Sequence, residues 1–136
     1  MRLTILIITA LSVLAIPATA SAAMKMGLED ESVFVSGNPV ISSIQGYQML
    51  NDLNIKTMRV LITQASVAEG SGFDFTAYQQ AIALAQANGV AVQVVLVGKY
   101  PRPNVSSYAT FAKAAAQALG GSVIFYSIWN EPNSVR

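Results

Sequence analysis

Cysteine and histidine are both absent from the 136-residue sequence, and charged residues make up only 11% of it. Without cysteine there is no disulfide to staple the fold. Without histidine there is neither the commonest metal ligand nor the usual base of a serine or cysteine triad. The low charge argues against a nucleic-acid-binding surface. Any catalysis must therefore rest on carboxylates, hydroxyls or amides, and we expect neither a metal nor a cofactor.

The first 22 residues have the features of a secretory signal peptide. Arg2 supplies a positive start, residues 3–16 form a nearly unbroken apolar run, and small residues follow Pro17. That run is shorter than the ~20 apolar residues that a membrane-spanning helix needs. We therefore expect residues 23–136 to be secreted, either outside the cell or into the periplasm, with no membrane association after cleavage. Loss of Arg2 leaves seven basic and seven acidic side chains, which gives no reason to expect a nucleic-acid partner.

Short apolar runs alternate with amphipathic stretches after this segment, which is typical of βα units around a parallel sheet. The predicted strands are residues 24–28, 57–62, 90–97 and 123–129. The third should be central, because its β-branched run shows little polar alternation and suits a strand covered on both faces. The sequence therefore predicts an α/β protein with about four βα units.

Three helices are predicted between these strands, over residues 41–54, 74–88 and 106–119. Gly46 weakens the first of them. Asp74 is the predicted N-cap of the second helix, and Ser106 or Ser107 that of the third. Residues 64–72 are predicted to form a polar, glycine-containing loop.

The sharpest chemical signal lies at the end of the last predicted strand, where residues 129–133 read WNEPN. The C-terminal ends of parallel barrel strands form the catalytic face, so Glu131 would point into the mouth of a site. A carboxylic acid protonates a leaving sugar oxygen, an amide such as Asn130 binds a hydroxyl group, and the Trp129 ring offers a flat face to a pyranose. The alternative is an ordinary Asn-Pro turn with an exposed glutamate. The adjacent tryptophan and the order of the elements favour the sugar site.

The run IWNEPN at residues 128–133 resembles the fourth-strand signature of the retaining glycoside hydrolases of clan A, such as the family 5 cellulase-like and family 39 xylosidase-like enzymes. The resemblance implies a (β/α)₈ barrel, an acid/base role for Glu131 and substrate binding by Asn130. Residues 50–60 also resemble the first helix and second strand of these enzymes. There, an arginine at the position of Arg59 supports the active-site carboxylates.

Other residues are weaker site candidates. Arg59 lies inside an apolar strand, so we expect a buried carboxylate partner for it. The acidic run of Glu29, Asp30 and Glu31 is predicted to be a solvated loop, with a place at the mouth of the site as the alternative. Substrate contact is a minor alternative for Tyr100 and Arg102. Four apolar residues are expected in the core: Met24, Met26, Tyr108 and Phe111.

Four βα units make half of a (β/α)₈ barrel. The resemblance places the catalytic nucleophile on a seventh strand, which these residues do not include. We therefore expect the N-terminal half of a glycoside hydrolase catalytic domain that acts on carbohydrate and is inactive by itself. The alternative is a non-catalytic secreted carbohydrate-binding or scaffold protein derived from that fold. Uncovered sheet edges and inward strand faces predict self-association.

Overall fold

A computed structural model describes residues 26–37, 41–98 and 104–130. Its main feature is a four-stranded sheet in which each strand runs parallel to its neighbours. The strands of this sheet are β1 (Gly27–Leu28), β2 (Thr57–Thr63), β5 (Ala91–Val97) and β6 (Phe125–Ile128), and they lie in the order β1-β2-β5-β6. The two short strands β3 (Ala68–Glu69) and β4 (Gly72–Phe73) pair separately. The helices are α1 (Glu31–Phe34), α2 (Ser43–Asp52), α3 (Thr76–Ala87) and α4 (Val105–Leu119). The chain is therefore a mixed α/β protein, and its four predicted strands are confirmed as parallel neighbours in chain order.

The strands sort their side chains onto two different faces of the sheet. In β2, buried residues alternate with partly exposed ones, so Met58, Val60 and Ile62 point one way. They join a single apolar cluster with residues of α2, α3 and α4, the largest of which are Tyr47, Leu50, Ile82 and Phe111. The other face carries the alternate residues of each strand, including Arg59 in β2 and Gln93 in β5. Helices thus cover one face, and polar side chains occupy part of the other.

The helix starts are set by side-chain caps. Ser42 and Gln45 form a reciprocal capping box at the start of α2. At α4 the N-cap is Asn104, whose Oδ1 accepts from the backbone N–H groups of Ser106 at 2.9 Å and Ser107 at 3.2 Å. The prediction of a serine cap was wrong, because these serines supply the N–H groups that the asparagine oxygen satisfies.

The start of α3 also differs from the sequence prediction. The N-cap residue is Phe75, one position later than predicted, and it forms no side-chain cap. Asp74 still serves the helix, because its Oδ1 accepts from the N–H of Thr76, the first helical residue, at 2.8 Å. The bond from the Thr76 hydroxyl lowers the pKa of Asp74, and this backbone bond acts in the same direction.

Gly46 lies where α2 crosses α1. A Cβ added there would be 2.7 Å from Cγ1 of Val33 and 2.8 Å from Cε1 of Phe34. The glycine that weakens the helix in isolation is therefore what allows α1 to pack against it. Phe34 in turn packs on Tyr47 with ring centroids 4.9 Å apart.

The segment predicted as a polar loop over 64–72 contains a small antiparallel ribbon. Its strands are β3 (Ala68–Glu69) and β4 (Gly72–Phe73). The ribbon is anchored by Val67, which is buried, and by a bond of 2.7 Å from the N–H of Asp74 to the carbonyl of Val67. The loop prediction was therefore wrong in part, because the paired strands β3 and β4 lie within this segment.

The outer strands leave apolar side chains exposed. Phe125 and Ile128 of β6 are 53% and 78% exposed, and Met26, just before β1, is 62% exposed. The predicted core position of Met26 is therefore wrong, because β1 has a paired neighbour on one side only. Phe111 is buried as expected, whereas Tyr108 packs at the core boundary. Self-association through these edges stays a prediction.

The predicted signal peptide at residues 1–22 and the residue Met24 lie outside the described residues. Within the ranges 26–37, 41–98 and 104–130, none of the helices has the length and apolar character needed to span a bilayer. Secretion of the product stays a prediction.

Candidate active site

The candidate site lies at the C-terminal edge of the parallel sheet. Parallel strands end at the same edge, so the residues that follow them come together there. Glu29 follows β1 directly, and Trp129 and Asn130 follow β6. Arg59 comes from within β2, on the face that the helices leave open.

Arg59 contacts residues that follow both outer strands of the sheet, β1 and β6. Its Nη1 forms an ion pair with Oε2 of Glu29, and its Nη2 donates a 2.8 Å hydrogen bond to Oδ1 of Asn130. A guanidinium group holds its N–H donors in a fixed planar fork, so the two acceptors are held in a defined relation to each other. The sequence correctly indicated a carboxylate partner for Arg59.

The predicted burial of that pair was wrong. The side chains of Arg59 and Glu29 are 36% and 38% exposed. The strand places Arg59 on its open face, so the guanidinium reaches the strand ends, where water has access. The pair therefore contributes little to the stability of the fold, because solvent screens ion pairs that are this exposed.

Asn130 has a defined amide orientation because of this contact. A guanidinium group has donors and no acceptor, so the atom that meets Nη2 of Arg59 must be the amide oxygen. The Nδ2 group of Asn130 is left to donate to other acceptors. Such an oriented amide donor at a strand end suits recognition of a ligand hydroxyl group.

Trp129 has a positive φ of 65°, which is uncommon for a residue other than glycine. Its backbone N–H donates to the carbonyl of Leu96 at 2.8 Å, and its ring lies 6.0 Å from the ring of Tyr108, centroid to centroid. The Tyr108 hydroxyl donates to the same Leu96 carbonyl at 2.9 Å. One carbonyl of β5 therefore binds both the turn that carries Trp129 and the Tyr108 side chain of α4 that packs beside its ring.

A second polar contact crosses the open face of the sheet. Nε2 of Gln93 in β5 donates to Oγ of Ser127 in β6 at 2.8 Å. Gln93 also stands beside Arg59 in the strand register. The two polar residues were missed in the sequence, although a lone glutamine within an apolar strand is the kind of signal that marks an open sheet face.

The acidic run after β1 divides into three roles. Glu29 pairs with Arg59 just after the end of β1. Oδ1 of Asp30 accepts from the N–H of Val33 at 3.2 Å and caps α1; its bond from the Ser32 hydroxyl lowers the pKa of Asp30. Glu31 accepts a hydrogen bond from the backbone of Leu61 in the neighbouring strand β2. The run is therefore not simply a solvated loop.

Burial raises the pKa of Glu31, and the nearby negative charge of Glu29 acts in the same direction, while the bond from Leu61 opposes them. Its Oε1 is buried and has no hydrogen-bond partner within the described part of the chain. A half-buried carboxylate thus stands beside the ion pair, on its β1 side.

Several predicted site residues lie outside the described residues. Glu131, the predicted acid/base, is one of them, as are Tyr100 and Arg102. The structure therefore brings Arg59, Trp129 and Asn130 to one edge and adds Glu29 to them. In the same described ranges, no group of three or more acidic, cysteine or histidine side chains is arranged to hold a metal ion.

No protein-family model matches the sequence, and no curated protein matches it either. Function must therefore be inferred from the chemistry of the site itself.

Proposed function

We propose that this chain is part of a glycoside hydrolase that acts on a poly- or oligosaccharide, with its four parallel strands forming the first half of a (β/α)₈ barrel. The observation that carries the proposal is the bond from Arg59 to Asn130 beside Trp129, at the C-terminal edge of the sheet. Barrel enzymes build their active sites at that edge. The match between strand order and chain order supports the barrel topology.

Each residue of the edge has a role in this proposal. Asn130 donates from Nδ2 to a sugar hydroxyl, while Arg59 holds its amide oxygen. The Trp129 ring, partly exposed and fixed at its backbone, provides a stacking face. Glu131, the next residue along the chain, is the acid/base that protonates the departing oxygen and later activates water.

A retaining mechanism needs a second carboxyl group about 5–5.5 Å from the acid/base, which acts as the nucleophile. The resemblance in the sequence assigns that nucleophile to a later strand of the barrel. The 136 residues by themselves are therefore expected to bind sugar without turning it over. This expectation separates the ligand-binding half of the proposal from its catalytic half.

Sugar binding is tested directly by the fluorescence of Trp129, since it is the only tryptophan in the sequence. Titration with cello-, xylo- and manno-oligosaccharides should change its emission with saturation for at least one series. Asn130→Ala should weaken that affinity by about tenfold, because it removes the oriented amide donor. The matched control is Asn51→Ala, whose side chain accepts from Lys56 at 2.9 Å outside the site. Equal loss in both variants, or no saturable change in the wild type, would contradict the proposal.

The second candidate function is carbohydrate binding without catalysis, which the half-exposed, pre-oriented Trp129 and Asn130 also favour. The two functions differ in the role of Glu131. In a polypeptide that extends this chain by further βα units, release from aryl glycosides should be lost in Glu131→Gln while sugar binding remains. Turnover by the 136 residues alone, abolished by the same substitution, would instead show that the nucleophile lies within them.

A further inference from the structure

We infer that Glu29 is a specificity-determining residue that reserves the Arg59 site for uncharged sugars and excludes uronic acids. The inference rests on the proposed function and names the substrate class of the same site. Its basis is geometric: one guanidinium group contacts both the ligand-binding amide of Asn130 and the carboxylate of Glu29.

An arginine at a strand end is the residue type best suited to recognise a carboxylate, because its N–H groups match the two carboxylate oxygens. In this chain the protein supplies that carboxylate itself. Nη1 of Arg59 is paired with Glu29, and Nη2 is engaged by Asn130. A uronic acid that approached Arg59 would therefore meet a positive charge that Glu29 already compensates.

The surrounding charge strengthens this exclusion. Glu31 lies close enough to Glu29 for their charges to interact. One positive and two negative groups thus stand at the β1 side of the site. A ligand carboxylate brought to Arg59 would meet repulsion that a hydroxymethyl group at the same position would not.

The same contacts favour the binding of neutral sugars. The Glu29–Arg59 pair holds the guanidinium group in place, and that group orients Asn130 to donate to a hydroxyl. The ion pair is half exposed, so its substitution should leave the fold intact. Substitution of Glu29 should therefore change the selectivity between neutral and acidic sugars without unfolding the protein.

Glu29→Gln is the decisive substitution. Glutamine keeps the shape and an oxygen that accepts from Nη1, but it leaves the charge of Arg59 uncompensated. The matched control is Glu69→Gln, which removes the same charge from the exposed strand β3. Binding is measured by Trp129 fluorescence with three matched pairs: the methyl glycosides of glucose, galactose and mannose, and those of their uronic acids.

The wild type and Glu69→Gln should prefer the neutral member of a pair by about tenfold or more. Glu29→Gln should reduce or reverse this preference by about tenfold, through a gain in affinity for the uronic acid that weakens with added salt. Equal affinities in the wild type, or no gain in Glu29→Gln, would overturn the inference and leave the proposed function standing.

The two proposals fail in different ways. If the wild type binds no cello-, xylo- or manno-oligosaccharide while Glu29→Gln binds the uronic acids, the proposed function is contradicted and the role of Glu29 is supported. If neither protein binds any of the six methyl glycosides or any of these oligosaccharides, both are overturned.

Discussion

Arg59 and Asn130 are 71 residues apart in the chain, and a 2.8 Å hydrogen bond joins them across the C-terminal edge of the sheet. The bond spans the central strand, since β5 lies between β2 and β6. It therefore exists only when three strands are paired in the correct order and register. The site thus depends on the tertiary fold, and the strength of this hydrogen bond measures how strongly β2 and the turn after β6 are coupled.

We predict a measurable coupling energy between these residues. In a double-mutant cycle with Arg59→Gln and Asn130→Ala, the loss of unfolding free energy in the double variant should be smaller than the sum of the single losses by about 1 kcal/mol. A bond to a charged group contributes about 1.5–3 kcal/mol when shielded, and partial exposure reduces it. Urea denaturation monitored by far-UV circular dichroism measures the cycle. Additivity within about 0.3 kcal/mol would show that the pair is not coupled.

The close approach of α1 to Gly46 leads to a second prediction. Gly46→Ala should lower the unfolding free energy by up to about 2 kcal/mol, because overpacking costs about 1–3 kcal/mol and the better helix propensity of alanine returns about 1 kcal/mol. The added Cβ would be 2.7 Å from Cγ1 of Val33. Gly121→Ala is the control, since no heavy atom lies within 4 Å of its added Cβ. A stabilised Gly46→Ala protein would contradict the assigned role of the glycine.

The parallel sheet could be predicted from the sequence because buried parallel strands have a recognisable local composition. A β-branched run such as Val90–Val97 needs no tertiary information to be recognised as a buried strand. The position of Asn130 after the last strand followed from the same pattern, whereas Trp129, the last residue of the predicted strand, lies just beyond β6. The resemblance implied that Arg59 supports the active-site carboxylates, and its hydrogen bond to Asn130 was not predicted.

What the sequence did not show depends on contacts between distant segments. Gly46 was read as a weakness because helix propensity is a local quantity, whereas its role comes from Val33 and Phe34. The pairing of Glu29 with Arg59 depends on how far β1 extends, and strand ends are poorly determined by composition. The four-residue helix α1 was missed because its apolar residues are too few to show a helical period.

Glu31 gives a third prediction, on pH dependence. Because burial raises its pKa in the folded state above the ordinary value of 4.5, its protonated form is favoured on folding. Its contribution to stability is full below pH 4.5 and is lost as the pH rises through the folded value. Glu31→Gln retains an acceptor for the Leu61 N–H but has no charge to bury. The variant should therefore gain unfolding free energy relative to the wild type at pH 7 and lose that advantage at pH 4.

Urea unfolding at both pH values measures this difference. The control is Glu69→Gln, whose side chain lies on the exposed strand β3, and its offset from the wild type should change little between pH 4 and pH 7. A Glu31→Gln protein that is less stable than the wild type at pH 7 would show that the carboxylate is stabilising in its ionised form, and would make the bond to Leu61 the dominant effect.

The alkaline limit of stability should depend on Tyr47. This side chain is 1% exposed, and burial raises its pKa from 10.0 to about 12. The unfolded chain therefore loses the phenolic proton first, and the stability from Tyr47, present in full below pH 10, is lost as the pH rises toward 12.

In Tyr47→Phe, the fall of unfolding free energy between pH 10 and pH 11.5 should be shallower than in the wild type. Below pH 9 the variant should show only a constant offset of about 1 kcal/mol or less, from loss of the 3.4 Å bond to the Ala81 carbonyl. The pKa values of Tyr78, Tyr108 and Tyr126 are also raised by burial, so some slope must remain. Parallel curves for the two proteins would mean that Tyr47 ionises equally in the folded and unfolded states.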